Sequence, residues 1–119
     1  MGDHLLKFKP GQAVTFTAGG AITGGQVVEV GAADRTVVAA GAASAKAIGT
    51  AGHDAASGEK VTVHMAGPVD TAAAAAAIAR GAKVEAGAAG TVQTATTGLV
   101  LGIALTAAAG QGDIVEFVR

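Results

Sequence analysis

The sequence predicts an all-β domain with at most one short helix, folded as a compact β-barrel or sandwich. Three observations support this fold class: short runs of β-branched residues, turn residues at intervals of roughly 8–12 positions, and an internal repeat. The chain has 119 residues, the size of one domain. Its core must be thin, because 31 of its apolar residues are alanine and only 29 are larger. A thin core combined with 19 glycines indicates that association with other chains adds stability.

Five runs rich in valine, isoleucine, threonine and phenylalanine predict strands, because such side chains favour extended backbone. They are residues 14–17, 27–30, 36–38, 61–64 and 114–118. Glycine-containing stretches between them, such as Gly19-Gly20 and Gly24-Gly25, predict turns.

One segment differs from the rest. Residues 72–80 are nearly all alanine, the best helix former, and Gly81 follows them. Asp70 or Thr71 is a suitable N-cap. We therefore predict a short helix here, although a run of alanines has no apolar stripe to anchor it. The alternative is a loop of small residues that lies close against the backbone of a partner.

An ordered series of internal matches divides most of the chain into two related units. The matched segments are 11–16 with 58–63, 21–25 with 77–81, 28–29 with 84–85, 36–37 with 91–92, and 48–51 with 101–104, and the first element begins a third time at 112–117. The units therefore cover about residues 11–57 and 58–109, and a strand at 112–118 follows them. Because one such unit cannot bury its apolar face alone, we expect both units and the closing strand to form one domain over residues 11–119.

Charge and composition exclude several classes of partner. The net charge is −1 and the chain contains no tryptophan or tyrosine, so we expect no nucleic-acid binding. No cysteine is present for disulfides or thiolate metal sites. No apolar stretch long enough to cross a bilayer is free of glycine, and the first residues do not resemble a signal peptide. We therefore expect a soluble protein, made in a cytoplasm, with no membrane partner.

Histidines and serines show no catalytic or metal-binding spacing. The histidines are His4, His53 and His64, and the serines are Ser44 and Ser57. Although His53 and Asp54 are residue types found in metal sites and catalytic dyads, their glycine-rich surroundings predict a loop. Neither serine lies in a Gly-x-Ser-x-Gly elbow.

Two glutamates, Glu29 and Glu85, occupy equivalent positions in the repeat. Such a pair is able to act as general acid and base, but the simpler interpretation is that both point outward from half-buried strands. We therefore predict that the protein is not an enzyme and has no catalytic, cofactor-binding or metal-binding residue.

Residues 1–10 precede the repeat, and we interpret them as an N-terminal arm. Apolar and basic residues alternate in this segment, which is typical of a docking peptide. The candidate binding residues are Asp3, His4, Leu5, Leu6, Lys7, Phe8 and Lys9. The alternative is an edge strand that packs on the chain's own barrel.

The order of several short motifs resembles that of the capsid cement, or head decoration, proteins of tailed bacteriophages. The motifs are residues 8–18, 24–28, 45–63 and 100–104. The resemblance implies a tulip-like β-domain without catalytic residues. It also implies a homotrimer on the outer capsid surface that binds the major capsid protein and stabilises contacts between its subunits. In such a protein, the arm at residues 3–9 would add to the sheet of the capsid protein.

Two other classes of function remain as alternatives. A module on the virion surface that binds a host or small-molecule ligand should show a concave pocket lined with aromatic residues. This chain has three phenylalanines and no tryptophan or tyrosine, which argues against such a module. A head-associated hydrolase should show a nucleophile with a base, or a metal set, and the sequence contains neither pattern.

Overall fold

The structure is a computed structural model that describes residues 13–65 and 69–118. Within these ranges the chain forms ten strands and one short 3-10 turn at Ala88–Gly90. The strands are β1 (Val14–Ala18), β2 (Val27–Val30), β3 (Thr36–Ala39), β4 (Ala47–Ala51), β5 (Lys60–His64), β6 (Val69–Ala73), β7 (Lys83–Ala86), β8 (Val92–Thr94), β9 (Gly102–Ala104) and β10 (Ile114–Val118). The predicted all-β fold class is confirmed.

The first five strands form a closed barrel in the order β1-β3-β2-β4-β5. Strand β1 closes it by pairing antiparallel with β5 and parallel with β3. Closure gives every strand a partner on both sides along part of its length, which protects the backbone groups that an open sheet edge would expose.

The last five strands form a five-stranded sheet in the order β6-β10-β9-β7-β8, with the same succession of strand pairs but without a β6–β8 ladder to close it. The antiparallel pairs of the first barrel all have counterparts, and a single parallel bridge between Ala74 and Val92 stands where β1 pairs with β3. Another bridge, Ile22 with Ala55, is repeated as Ile78 with Ala108. Strands β6 to β10 are therefore the structural counterparts of β1 to β5, and we call the two units the first and second barrels.

Each barrel encloses the same set of small side chains. In the first barrel they are Ala18, Ile22, Val28, Val37, Ala51, Ala55, Val61 and Val63. Their counterparts in the second barrel are Ala74, Ile78, Val84, Val92, Ala104, Ala108, Val115 and Phe117. Only the last position differs, valine in the first barrel and phenylalanine in the second. The thin core expected from the composition is thus two thin cores of nearly identical composition.

The two barrels pack directly on each other. Val27, Ala40 and Ala47 of the first barrel belong to the same apolar cluster as the interior of the second. Backbone hydrogen bonds cross the junction, from Ala43 N to Ala86 O and from Gly90 N to Ala40 O, both at 2.8 Å. Val27 is buried in this junction and its neighbour Val28 in the first barrel, so β2 is apolar on both faces.

The short helix predicted at residues 72–80 is wrong. Ala72 and Ala73 lie in β6, where they pair with Val115 and Ile114 of β10. Beyond Ala74 the chain continues through the bridge at Ile78 into a turn before β7. The helical propensity of alanine is worth a few tenths of a kcal/mol per residue. The hydrogen bonds of β6 to β10 and the burial of Ala72 in the apolar cluster outweigh it.

Strand pairing divides the chain at a later point than the sequence matches do. Strand β5 lies in the 58–109 unit of the sequence repeat, but it pairs with β1 and β4 inside the first barrel. The strand β10 pairs with β6 and β9, so it is the counterpart of β5 within the second barrel. Residues 58–63 therefore match 112–117 in the fold, because both segments begin their barrel's last strand.

Candidate interaction surface

The histidines of the described residues hold loops or face outward. His53 Nε2 accepts a hydrogen bond from Thr62 N at 3.2 Å, and His53 Nδ1 lies 2.9 Å from Asp54 O. These contacts fix the 52–54 loop against β5, as the prediction of a loop requires. His64 is exposed at the end of β5. Within residues 13–65 and 69–118, no group of three or more histidine, aspartate and glutamate side chains is placed to hold a metal ion.

Glu29 anchors the loop that follows β3. Its Oε1 accepts a hydrogen bond from Gly41 N at 3.1 Å, and its Oε2 lies 3.9 Å from Lys46 Nζ. Hydrogen bonds from the Ser44 hydroxyl and the Gly41 N–H, with the charge of Lys46, lower the pKa of Glu29. The side chain is therefore ionised at neutral pH and serves as an acceptor for this loop.

Glu85 is fully buried, whereas the sequence analysis expected it to point outward. Its carboxylate accepts hydrogen bonds from Gln93 Nε2 at 2.6 Å, Thr96 N and Thr96 Oγ1 at 2.9 Å, and Gly98 N at 2.8 Å. These bonds, that of Gln93 foremost, lower the pKa of Glu85 to about 2 despite its burial. A carboxylate held in its ionised form by four donors anchors the 96–98 loop and is unsuited to taking up a proton.

The outer side of the second barrel carries a group of exposed apolar side chains. They are Val69 (49% exposed), Ile103 (44%), Leu105 (43%) and Ile114 (63%) on strands β6, β9 and β10 or directly beside them. Val118 lies between them, because it is the Cα partner of both Val69 and Ile103. We call these five residues the apolar face. The charged Glu116 also projects from this side of β10.

The same positions of the first barrel are small or polar. The counterparts of the apolar face are Ala13, Thr50, Gly52, Lys60 and His64. Since the barrels share a strand order and a core, their fold does not require large apolar residues on this outer side. Contiguous exposed apolar side chains of this kind mark surfaces that contact another molecule. The apolar face is therefore the candidate interaction surface of the described domain.

Sequence reasoning missed this surface, although a signal was present. Ile114 and Val118 are separated by an even number of positions on one strand, as are Ile103 and Leu105 on the next segment, so each pair lies on one side of the sheet. A comparison of these positions with Lys60, His64 and Thr50 in the repeat would have exposed the difference. The sequence matches instead aligned residues 58–63 with residues 11–16, which hid it.

The arm residues Asp3, His4, Leu5, Leu6, Lys7, Phe8 and Lys9 lie outside the described residues, so their binding role stays a prediction. The described chain starts at Ala13, directly before β1. In the described part of the chain, no helix is both long and apolar enough to cross a membrane.

Comparison with known proteins places this fold among phage structural proteins. In the solved structures, the chain is similar to the crystal structure of the head fiber gp8.5 N base in bacteriophage phi29, with a TM-score of 0.72 and 20% sequence identity. The similarity covers 90% of this chain and 92% of that one. No curated protein matches the chain. The family model of the phage cement proteins matches residues 8–119. The chain therefore belongs to the phage cement protein family and is a structural protein of a bacteriophage virion.

Proposed function

We propose that this protein is a homotrimeric cement protein that binds the major capsid protein on the outer surface of the phage head and stabilises the contacts between its subunits. It is made in the host cytoplasm and joins the assembled head. The observation that carries the proposal is the family match over residues 8–119, together with an exposed apolar face that the fold itself does not require.

The apolar face supports association between copies of the chain. Fully burying a valine, leucine or isoleucine side chain is worth about 1.5–3 kcal/mol. The four most exposed members are 43–63% exposed, so about half of that gain is still available at each of them. Subunits related by a three-fold axis make contacts between two different surfaces, so the partner of the apolar face in a trimer is another part of the neighbouring chain. We assign the apolar face to this subunit contact.

The N-terminal arm supports the contact with the capsid protein. Leu5, Leu6 and Phe8 provide apolar side chains, and Lys7 and Lys9 provide positive charge between and beside them. An extended segment of this kind binds by adding to the edge of a sheet in its partner. Three arms on one trimer raise the effective affinity without a strong single contact, which suits a repeating lattice.

The test uses heads purified without the protein and expanded. The full chain should saturate them at multiples of three copies per lattice site, counted by quantitative gel densitometry and by imaging of the decorated head. Saturation at one copy per hexamer centre would contradict the trimeric assignment.

A second arm of the experiment separates the two contacts. Deletion of residues 2–9 should leave a folded trimer that no longer binds heads, as judged by circular dichroism, sedimentation and head binding. The triple variant Leu5→Ser, Leu6→Ser, Phe8→Ser should behave in the same way, whereas Lys7→Gln with Lys9→Gln should mainly weaken binding at low salt. Normal binding by the truncated chain would show that the arm is not the docking segment.

A further inference from the structure

In the first barrel, Arg35 lies directly before β3, beside the parallel pairing of β1 with β3 that closes the barrel. Thr17 N donates to Arg35 O at 2.9 Å, and Arg35 Nη2 donates to Thr15 O at 2.9 Å. The Arg35 guanidinium also lies over the ring of Phe16, 5.2 Å from its centroid. One arginine residue therefore satisfies the free edge of β1 in two places and covers the end of the barrel.

At the corresponding place in the second barrel, the single bridge between Ala74 and Val92 replaces the β1–β3 ladder, and no arginine stands there. Thr71, Ala72, Ala73 and Gly90 stand where the first barrel has Thr15, Phe16, Thr17 and Arg35. The backbone supports this match, because Arg35 and Gly90 both have positive φ, 56° and 75°, and a threonine follows each. We call the gap between residues 71–73 and 89–91 the seam.

Parallel pairing at the seam is shorter than in the first barrel. Two residue pairs join β1 to β3, whereas Ala74 with Val92 is the one pair between the corresponding segments of the second barrel. The pair Ala73 with Thr91 is not formed within the described residues, so Ala73 N lacks the acceptor that Thr17 N finds at Arg35. The Thr71 carbonyl, which alternation along β6 directs away from β10, likewise lacks the guanidinium that Thr15 binds.

A cavity of about 350 Å³ opens at this point. Residues 71–73 form one wall and 89–91 another, and the turn at 23–26 and Ile114 complete the lining. A volume of this size falls within the range of small ligand sites. The cavity therefore lies beside Ala73 N and the Thr71 carbonyl, for which residues 13–65 and 69–118 provide no backbone partner across the seam.

The chain is unable to fill this cavity with an arginine of its own at position 90. A Cβ atom on Gly90 would lie 2.6 Å from the Cβ of Gln26 and 3.0 Å from the carbonyl oxygen of Val27, so a side chain does not fit at this position. Gln26 itself is turned to the neighbouring backbone, where its Nε2 donates to Ala89 O at 2.9 Å. Packing between the barrels thus keeps the seam open.

Charges around the seam favour a cation. The lining contains no charged side chain. Thr71 N is bonded to the carboxylate of Asp70 at 2.8 Å, and the cross-strand partner of Thr71 is Glu116. Asp70 already accepts hydrogen bonds from Thr50 Oγ1 and Thr71 N, so its contribution is its negative charge beside the seam. Hydrogen bonds to a guanidinium are charge-assisted, and these are stronger than bonds between neutral groups.

We propose that the seam binds an arginine residue in an extended segment of a partner polypeptide. The backbone carbonyl of that arginine accepts from Ala73 N–H, and its guanidinium donates to the Thr71 carbonyl, as Arg35 does within the first barrel. This site lies on the described domain and depends neither on the arm nor on the identity of the capsid partner, so it goes beyond the proposed function.

The test uses a blocked peptide with the sequence of residues 32–38, which carries Arg35 in its native surroundings, and a control peptide with alanine in place of that arginine. Amide chemical shifts of the ¹⁵N-labelled full chain are followed as each peptide is added. The arginine peptide should shift Thr71, Ala73, Gly90 and Thr91 in a saturable manner, and the control peptide should bind at least tenfold more weakly.

Two variants test the geometry. Ala73→Pro removes the N–H that faces the seam but not the ladder to β10, and it should abolish binding of the peptide. Ala72→Phe supplies the ring over which the Arg35 guanidinium lies in the first barrel, and it should strengthen binding of the arginine peptide. Val100→Thr, an exposed position outside both the seam and the apolar face, should leave binding unchanged.

Several outcomes would overturn the proposal. The first is equal affinity for the two peptides. The second is that the arginine peptide at millimolar concentration gives no saturable shift, or shifts only residues outside the seam. The third is unchanged or weaker binding by a folded Ala72→Phe chain. Ile114 belongs both to the apolar face and to the lining of the seam, so trimer formation alone is able to shift signals here. Concentration-dependent shifts at the seam without peptide that persist in an Ile103→Lys chain, which disrupts the apolar face outside the lining, would show that a second copy occupies the seam and would overturn the assignment to a different polypeptide.

Discussion

On the outer side of the first barrel, β5 presents Lys60, Thr62 and His64, whereas the same positions of β10 in the second barrel are Ile114, Glu116 and Val118. Inside the barrels, seven of the eight corresponding core positions carry the same residue. The fold thus accounts for what the barrels share, but it does not require the large apolar side chains on the outer side of the second barrel. Because the first barrel folds with a polar outer side, the apolar one on the second must have another purpose.

The largest effect is expected at the one core position where the barrels differ. Phe117→Ala should lower the free energy of unfolding by about 3–5 kcal/mol, because a large buried ring is replaced by a cavity. Val63→Ala removes fewer buried atoms and should cost about 2 kcal/mol. Urea unfolding at one protein concentration measures both values.

The same experiment tests whether the barrels unfold together. Val27, Ala40 and Ala47 of the first barrel pack in the core of the second, so one cooperative transition is expected for the wild type and for both variants. Two separate transitions, each sensitive to only one of the substitutions, would contradict the shared core.

A smaller effect, visible in acid, should separate the two glutamates. The pKa of Glu85 is about 2 in the folded chain and 4.5 ordinarily, so between these values the unfolded chain binds more protons. Stability from Glu85 is thus present above pH 4.5 and is lost as the pH falls towards 2. Glu85→Gln should be less stable than wild type at pH 7, because the amide nitrogen cannot accept hydrogen bonds from the donors that the carboxylate binds. Between pH 4.5 and pH 2, the variant should lose less stability than wild type does, because it has no carboxylate to protonate at this position.

Glu29→Gln is the matched control for this prediction. The pKa of Glu29 is also lowered, so its contribution has the same sign, but its carboxylate is partly exposed and its loop has fewer donors to it. Its substitution should therefore shift the acid unfolding curve less than that of Glu85. An equal or larger shift for Glu29→Gln would show that burial of Glu85 does not set the acid limit of stability.

The smallest effect on stability is expected from a substitution that makes the outer side of the second barrel resemble that of the first. This substitution should act on assembly directly. Ile114→Lys gives the second barrel the residue that the first barrel has at position 60 and should weaken self-association at least tenfold, with an unchanged circular dichroism spectrum. Thr15→Lys adds the same charge to the first barrel and should leave the assembly intact. Sedimentation velocity distinguishes the two, and retention of the trimer by Ile114→Lys would exclude the apolar face as the subunit contact.

Local sequence was sufficient for strands that are rich in β-branched residues, such as β2, β5 and β10. It was insufficient for β6, because Ala72 and Ala73 favour a helix in isolation and become a strand only through their pairing with β10. For Glu85 it failed because the donors to the carboxylate are Gln93 of β8 and residues 96–98 of the loop that follows, and strand alternation does not show which segment folds over a strand. The seam requires knowledge of which strands close each barrel, so no local pattern predicts it.

The nearly identical interiors have a consequence for how such proteins diverge. Alanine, valine and isoleucine fill all eight matched interior positions of the first barrel and seven of the eight in the second, where the remaining one is Phe117. Many outer positions of the 119-residue chain are therefore not constrained by this interior. Lineages with this architecture are therefore expected to keep their shape long after their surfaces have become unrecognisable. A structural neighbour with 20% identity and a TM-score of 0.72 fits that pattern. Because the interior is duplicated and built from a few small residue types, the outer surface of one barrel is able to change and acquire new contacts while the other barrel keeps its polar surface.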